Sequence, residues 1–353
     1  MMMARERESF LKLWISRLAD NKRASILIIA LWSLFLLSFF AVVLNYGARQ
    51  KIILIQRLNE RAQLRLIAAA GIQRGIAELT GAQPKGFDSL KDSWSNNASG
   101  FKDIAVGIGR YSLCYNYINR KTGALDIRYG ITDEESKINI NSAGQDVLGR
   151  LFQVVLGLDE TQAQEFAACI VDWRDSDIQV SIPSGSAEDP YYQSLGFPYD
   201  CKDAPFEVLD ELLLVKGFDK DIFEKIKGYI TIYGDGRVNI NTATAPVLLA
   251  LGLNNEIVDK ILLFRCGKDG IEATEDDNVF MKPMDIVPVL NSAYGLSDSE
   301  ISLLNDIVGK YITTVSNNFM IRSLARLARG RNTKEALCVL NRGSKKILYW
   351  RQF

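Results

Sequence analysis

Five carboxylates fall within 18 residues of this chain: Asp172, Asp175, Asp177, Glu188 and Asp189. They sit in the segments I-V-D-W-R-D-S-D-I and S-A-E-D-P-Y-Y, on a loop that also holds Pro183 and Gly185. Calcium takes roughly six to eight oxygens from carboxylates, carbonyls and water, and it suits flexible loops of this kind. The flanking Trp173, Tyr191 and Tyr192 point to an ordered loop rather than a solvated one, so calcium is the expected ligand. The D-x-D-x-D-G spacing of an EF-hand is absent. A second acidic loop, C-G-K-D-G-I-E-A-T-E-D-D-N-V-F from Cys266 to Phe280, offers Asp269, Glu275, Asp276 and Asp277 for another cation.

Other chemistry is excluded by what the chain lacks. It contains no histidine, which removes Ser-His-Asp and Cys-His catalysis and every His-ligated zinc site. A metal here is held by oxygen or sulfur. The five cysteines, Cys114, Cys169, Cys201, Cys266 and Cys338, lie far apart with no C-x-x-C, so neither a zinc ribbon nor a thioredoxin-like site is expected. Their odd number leaves at least one thiol unpaired within the chain. Carboxylate pairs also serve glycosidases, but nothing else in the sequence suggests a sugar cleft. An oxygen-ligated metal hydrolase would need a base beside the carboxylates, and no histidine or lysine cluster lies there. The chain reads as a non-enzyme with no small-molecule substrate.

The elements that position the acidic loops form an internal repeat. Residues 137–148 read K-I-N-I-N-S-A-G-Q-D-V-L and residues 237–248 read R-V-N-I-N-T-A-T-A-P-V-L, aligned without gaps. Each copy predicts a short strand ending in Asn, then Ser142 or Thr242 as helix N-cap, then a helix. Asn139, Asn141, Asn239 and Asn241 are expected to bond nearby backbone and fix the corner. Turns at Gly157-Leu158-Asp159, Gly217-Phe218-Asp219 and Gly252-Leu253-Asn254 give helix-hairpin-helix-like units. DNA-binding versions use a G-x-G hairpin, in which the third residue is also glycine and the amides hold phosphate. Here that residue is Asp or Asn, and nearby acids repel a phosphate backbone. Membrane-tethered DNA binding of the competence type is therefore the alternative, and packing modules with no nucleic acid are the preferred reading.

The net charge is zero, but the charge is segregated. Residues 159–210 carry twelve acids against Arg174 and Lys202, a net −10, whereas residues 307–353 carry ten bases against Glu335, a net +9. Such opposed blocks suggest metal sites, partner surfaces or mutual attraction.

Residues 24–44, ASILIIALWSLFLLSFFAVVL, form an uncharged run of 21 residues. That is enough to cross a bilayer, which takes about 20. A basic 23-residue leader precedes it. Beyond it Ile55, Leu58, Ala62, Leu66, Ala69, Ile72, Ile76 and Leu79 recur at helical spacing. One helix over about residues 25–80 is expected, roughly 80 Å long. Residues 84–97 read as loop. Alternating strands then follow at Ala105 to Gly109, Tyr111 to Ile118 and Leu125 to Thr132, with a turn at Arg120 to Gly123.

The long helix resembles those of type IV pilins and pseudopilins. The ordered set formed by D-E-x-S-K-I-N-I-N-S-A, D-W-R-D-S-D, A-E-D-P-Y-Y, E-L-L-L-V-K-G, the second N-I-N-T-A and T-E-D-D-N resembles the general secretion pathway protein K family, over residues 20–353. This resemblance implies an α+β fold with an N-terminal transmembrane long helix. It also implies a pilin-like antiparallel sheet and a large all-α, helix-hairpin-helix-like insert. The parts are a cytoplasmic leader (1–24), the long helix (25–80), the first part of the pilin-like domain (81–136), the insert (137–306) and the returning strands (307–353). Those strands are expected at Tyr311 to Ala328, Ala336 to Asn341 and Lys346 to Trp350. The resemblance further implies calcium in the insert and a minor pseudopilin at the tip of a type II secretion pseudopilus. The implied partners are pseudopilins I and J and the inner-membrane assembly platform. The implied location is a single-pass inner-membrane protein with its globular part in the periplasm. Prepilin peptidase would cut between Ala24 and Ser25, which puts Ile29, rather than the glutamate of polymerising pilins, at mature position five.

Overall fold

The computed structural model describes residues 2–81, 85–119, 122–182, 187–328 and 332–353. Pro183 and Gly185 of the acidic loop, Arg120 and Lys121 of the turn, and the Ala24 side chain lie outside the described residues. The chain divides into two units, Met1–Gln63 and Leu64–Phe353.

Helix α1 runs Met2–Gly81, so helix continues N-terminally through the leader that the sequence set apart. Within the first unit its apolar side chains, Ile26 to Leu58, are exposed throughout, and Ser25–Gly81 is long and apolar enough to cross a membrane. In the second unit its last turns bury Leu64, Ile67, Ala68, Ile72 and Leu79. The expected stripe is corrected here: Leu66 is 72% exposed, and the true face runs through Ala68, Gly71 and Gly75. Small residues lie on that face because the helix approaches the sheet closely. A Cβ at Gly71 would stand 2.2 Å from Ser323 Oγ, and one at Gly75 2.8 Å from Ile321 Cγ2.

The one-turn helix α2 (Ala98–Phe101) leads to β1 (Ile104–Val106), β2 (Gly109–Leu113), β3 (Tyr115–Ile118), β4 (Leu125–Arg128) and β5 (Thr132–Asp133). After the insert come β10 (Asn318–Leu327), β11 (Thr333–Asn341) and β12 (Lys346–Gln352). These build an antiparallel sheet in the order β1-β2-β10-β11-β12, with β5 also pairing β10. Alternation sets its buried face: Phe319, Ile321 and Ala325 on β10, and Ala336, Cys338 and Leu340 on β11, pack with α1. Strands β3 and β4 form a separate hairpin.

The insert has its own core. It contains β6 (Ile138–Asn139), α3 (Gln145–Leu156), α4 (Glu160–Arg174), α5 (Asp189–Gln193), α6 (Lys220–Ile226) and β7 (Ile230–Thr231). It continues through β8 (Val238–Asn239), α7 (Ala245–Ala250), α8 (Asn255–Arg265), α9 (Ile286–Tyr294), α10 (Asp298–Tyr311) and β9 (Ile312–Thr313). It is helical apart from two parallel two-residue pairs, β6–β7 and β8–β9. The expected boundary at 306 cuts through α10. The insert ends at Thr313, because β9 closes onto β8 and the large sheet resumes only at Asn318.

Ser142 and Thr242 are not N-caps. Gly144 and Thr244 hold those positions. An extra turn intervenes, because each strand-end asparagine bonds the amide two residues on: Asn141 N donates to Asn139 Oδ1 at 2.8 Å, and Asn241 N to Asn239 Oδ1 at 3.0 Å.

Candidate cation site in the inserted domain

Helix α4 ends in Trp173-Arg174 and presents Asp175 at its C-cap. A carboxylate there faces the negative end of the helix dipole, an adverse position unless a cation offsets it. Arg174 is turned away, donating to the carbonyls of Ile140 and Ala143. Glu188 occupies the N-cap of α5. Its side chain makes no cap bond.

Aromatic packing holds the loop on α4. Trp173 lies 5.2 Å from Tyr192 and 6.2 Å from Tyr199 between ring centroids, and Tyr199 Oη donates to Leu214 O. Asn141 clamps the loop's far end: its Nδ2 donates to Phe206 O at 3.0 Å, and Phe206 N donates to its Oδ1 at 2.7 Å. Asp189 Oδ1 accepts from Cys201 N at 2.7 Å, which folds residues 200–206 back over α4.

The result is a carboxylate cluster. One oxygen each of Asp175, Asp177 and Glu188 lies within 4.8 Å of the others, and so do the donor atoms of Glu188, Cys201 and Asp203. Asp175 Oδ1 and Glu188 Oε1 are buried and have no hydrogen-bond partner. Burial first, then the neighbouring carboxylates, pushes Asp175 up to about 6 and Glu188 up to about 7. Concentrated negative charge with unsatisfied buried oxygens is the arrangement a hard divalent cation relieves, so the donor set fits calcium.

Of the residues singled out in the sequence, Asp175, Asp177 and Glu188 come together. Asp172 is fully buried, and its carboxylate accepts from Ser181 N. Asp189 is engaged with Cys201 N. Asp203, an exposed residue at φ +50°, groups with Glu188 and Cys201 and was not foreseen. It lies outside the 172–189 stretch and is brought to the site by the Cys201–Asp189 and Cys201–Asp172 bonds and the Asn141–Phe206 clamp.

The second acidic loop closes on itself. Asp276 Oδ2 accepts from the amides of Lys268 and Asp269, and its Oδ1 from Thr274 Oγ1. The Thr274 bond leads the causes that hold Asp276 down at about 2. Asp277 accepts from Ala273 N, and Asp269 from Ile271 N. Among the described residues these three do not gather at metal-ligand spacing.

The hairpin turns are capped by their own side chains. Asp159, Asp219 and Asn254 are the N-caps of α4, α6 and α8, and their side chains accept from the amides of Gln162, Ile222 and Ile257. These acceptors use amides at the hairpin that a phosphate would otherwise approach.

Fold and site together define a protein with a long apolar N-terminal helix, an antiparallel sheet and a helical insert holding an acidic loop. Residues 124–235 match the family model for type II secretion system (T2SS), protein K, so the chain is similar to that family over this segment. The type II secretion system protein K of Pectobacterium carotovorum subsp. carotovorum is 31% identical over 144 residues, covering 35% of this chain and 43% of that protein. That of Aeromonas hydrophila is 27% identical over 152 residues, covering 41% and 46%. The chain thus spans less than half the length of the curated relatives it matches. A chain in the crystal structure of the GspK–GspI–GspJ complex from the enterotoxigenic Escherichia coli type 2 secretion system shares the fold. Its TM-score is 0.61 over 85% of this chain and 99% of that one, at 17% identity.

Proposed function

We propose that this chain is a minor pseudopilin of a type II secretion system, with a structural rather than catalytic role. The observation that carries the reading is the match of residues 124–235 to the protein K family model, on a fold that begins with a long apolar helix. In this account α1 anchors the chain once in the inner membrane, and the globular unit stands in the periplasm. The chain sits at the pseudopilus tip with pseudopilins I and J, delivered by the inner-membrane assembly platform. Asp175, Asp177 and Glu188 hold calcium, which ties α4 to the loop that follows it. Calcium supplies positive charge here and no chemistry.

Processing tests the class. Prepilin peptidase is expected to remove residues 1–24, so that the mature chain begins at Ser25. Intact-mass measurement of membrane-extracted protein should give the mass of 25–353. A chain still starting at Met1 to Met3 would count against it.

A further inference from the structure

Glu188 belongs to two donor sets. One is all oxygen, Asp175–Asp177–Glu188, and the other is mixed, Glu188–Cys201–Asp203, each with its ligand atoms within 4.8 Å of one another. We propose that the mixed set is a distinct site for a thiophilic divalent cation such as zinc or cadmium, sharing Glu188 with the calcium site and competing with it. The proposal does not depend on the secretion role.

Three observations carry it. Glu188 is only 4% exposed, and its Oε1 is buried without a partner. A carboxylate oxygen desolvated and unpaired calls for a cation or a donor. Cys201 is also buried, at 7% exposure, and its Sγ engages only weakly, donating to Asp172 O at 3.3 Å. Asp203, by contrast, is exposed and leaves the set open to solvent on one side, giving a metal a route in and room for water. One thiolate, two carboxylates and a water would complete the four-coordinate shell zinc prefers. Calcium has little affinity for sulfur, so the two sets sort ions by softness.

Coordination has a balanced proton cost. The Cys201 S–H proton leaves to solvent as the sulfur–metal bond forms, and the Asp172 carbonyl loses its thiol donor. Both ions draw on Glu188, so saturating one site weakens the other.

The test uses the full chain in detergent after chelation and dialysis. Cadmium, titrated as the probe, should produce an ultraviolet thiolate-to-metal charge-transfer band that saturates at one equivalent. Calcium in large excess should right-shift that titration at least several-fold. Cys201→Ser should abolish the band while keeping the calcium-dependent rise in melting temperature. Asp177→Ala should do the reverse. Should Cys201→Ser fold poorly, Asp203→Asn, at an exposed position, weakens cadmium binding at least tenfold with little change in the calcium response. A wild-type chain without the band, or a band that persists in Cys201→Ser, overturns the proposal, as does a titration indifferent to calcium.

Discussion

Asp175 and Glu188 hold their protons more tightly when folded, at about 6 and about 7 against ordinary values of 3.8 and 4.5, because burial and neighbouring carboxylates penalise the charged forms. Without a cation, the folded chain therefore binds more protons than the unfolded chain across that window. Stability is greatest below it and falls as pH rises through it. Calcium needs the ionised forms, so saturating calcium should remove this slope. Melting of the full chain with chelator should show a midpoint that drops from about pH 5 to about pH 7.5, less steeply in Glu188→Gln. The comparison with Glu188→Gln is needed because the buried Asp133 and Glu135 also shift upward, led by burial, and add to the same slope. At calcium a hundred times its Kd the wild type gains about 2.7 kcal/mol, a gain that Asp175→Ala with Asp177→Ala should erase. Identical melting with chelator and with calcium would remove calcium from the account. At this scale the sequence showed which carboxylates were near one another along the chain. It did not show which of them the backbone would claim, so Asp172 and Asp189 read like ligands and Asp203 went unseen.

The repeat extends beyond the strand-and-helix segments that reveal it in sequence. Arg174 bonds the carbonyls of Ile140 and Ala143, and Arg265 those of Ile240 and Ala243. Asn141 clamps Phe206 through its amide and carbonyl, and Asn241 clamps Phe280 in the same way. The two acidic loops are therefore counterparts, each leaving a helix after an arginine and returning to an asparagine. One gathers carboxylates and the other satisfies them with its own amides. Asn141→Ala leaves both Phe206 backbone groups without their partner, so it should destabilise the fold by about 1–3 kcal/mol and weaken calcium binding by releasing residues 200–206. Asn241→Ala should cost a similar amount of stability and leave calcium binding unchanged. Denaturant unfolding with and without calcium checks both, and equal loss of calcium response in the two variants would contradict the clamp. The paired asparagines were legible because strand-end Asn has a local bonding habit. The helix starts were misplaced by two residues because that same habit inserts a turn before the helix.

On the scale of the whole molecule, the sheet and the insert keep separate cores. A polar junction joins them: Asp133 Oδ2 accepts from Thr242 Oγ1 at 2.5 Å, and Asn239 Nδ2 donates to Asp88 O at 3.1 Å and to Ser316 Oγ at 2.8 Å. The opposed charge blocks meet at Arg351–Asp210, 3.4 Å apart, with both side chains about half exposed, a pair worth little by itself. The architecture was legible because an uncharged 21-residue run, alternating strands and a repeat each impose a period. The face of α1 was not, since Gly71 and Gly75 carry no hydrophobic signal and were selected by close approach to the sheet. The central claim concerns assembly. Under the proposed processing Ile29 would stand at mature position five in place of a glutamate, so the chain would offer no buried carboxylate to a neighbouring subunit's amine, which in lipid is costly to leave unpaired. The most direct measurement is light scattering on the full chain, purified in detergent alone and mixed with pseudopilins I and J. The account predicts a discrete equimolar ternary species from the mixture and a single low-mass species from the chain alone. Ladder-like self-association of the chain alone, or a mixture in which it binds neither partner, would contradict it.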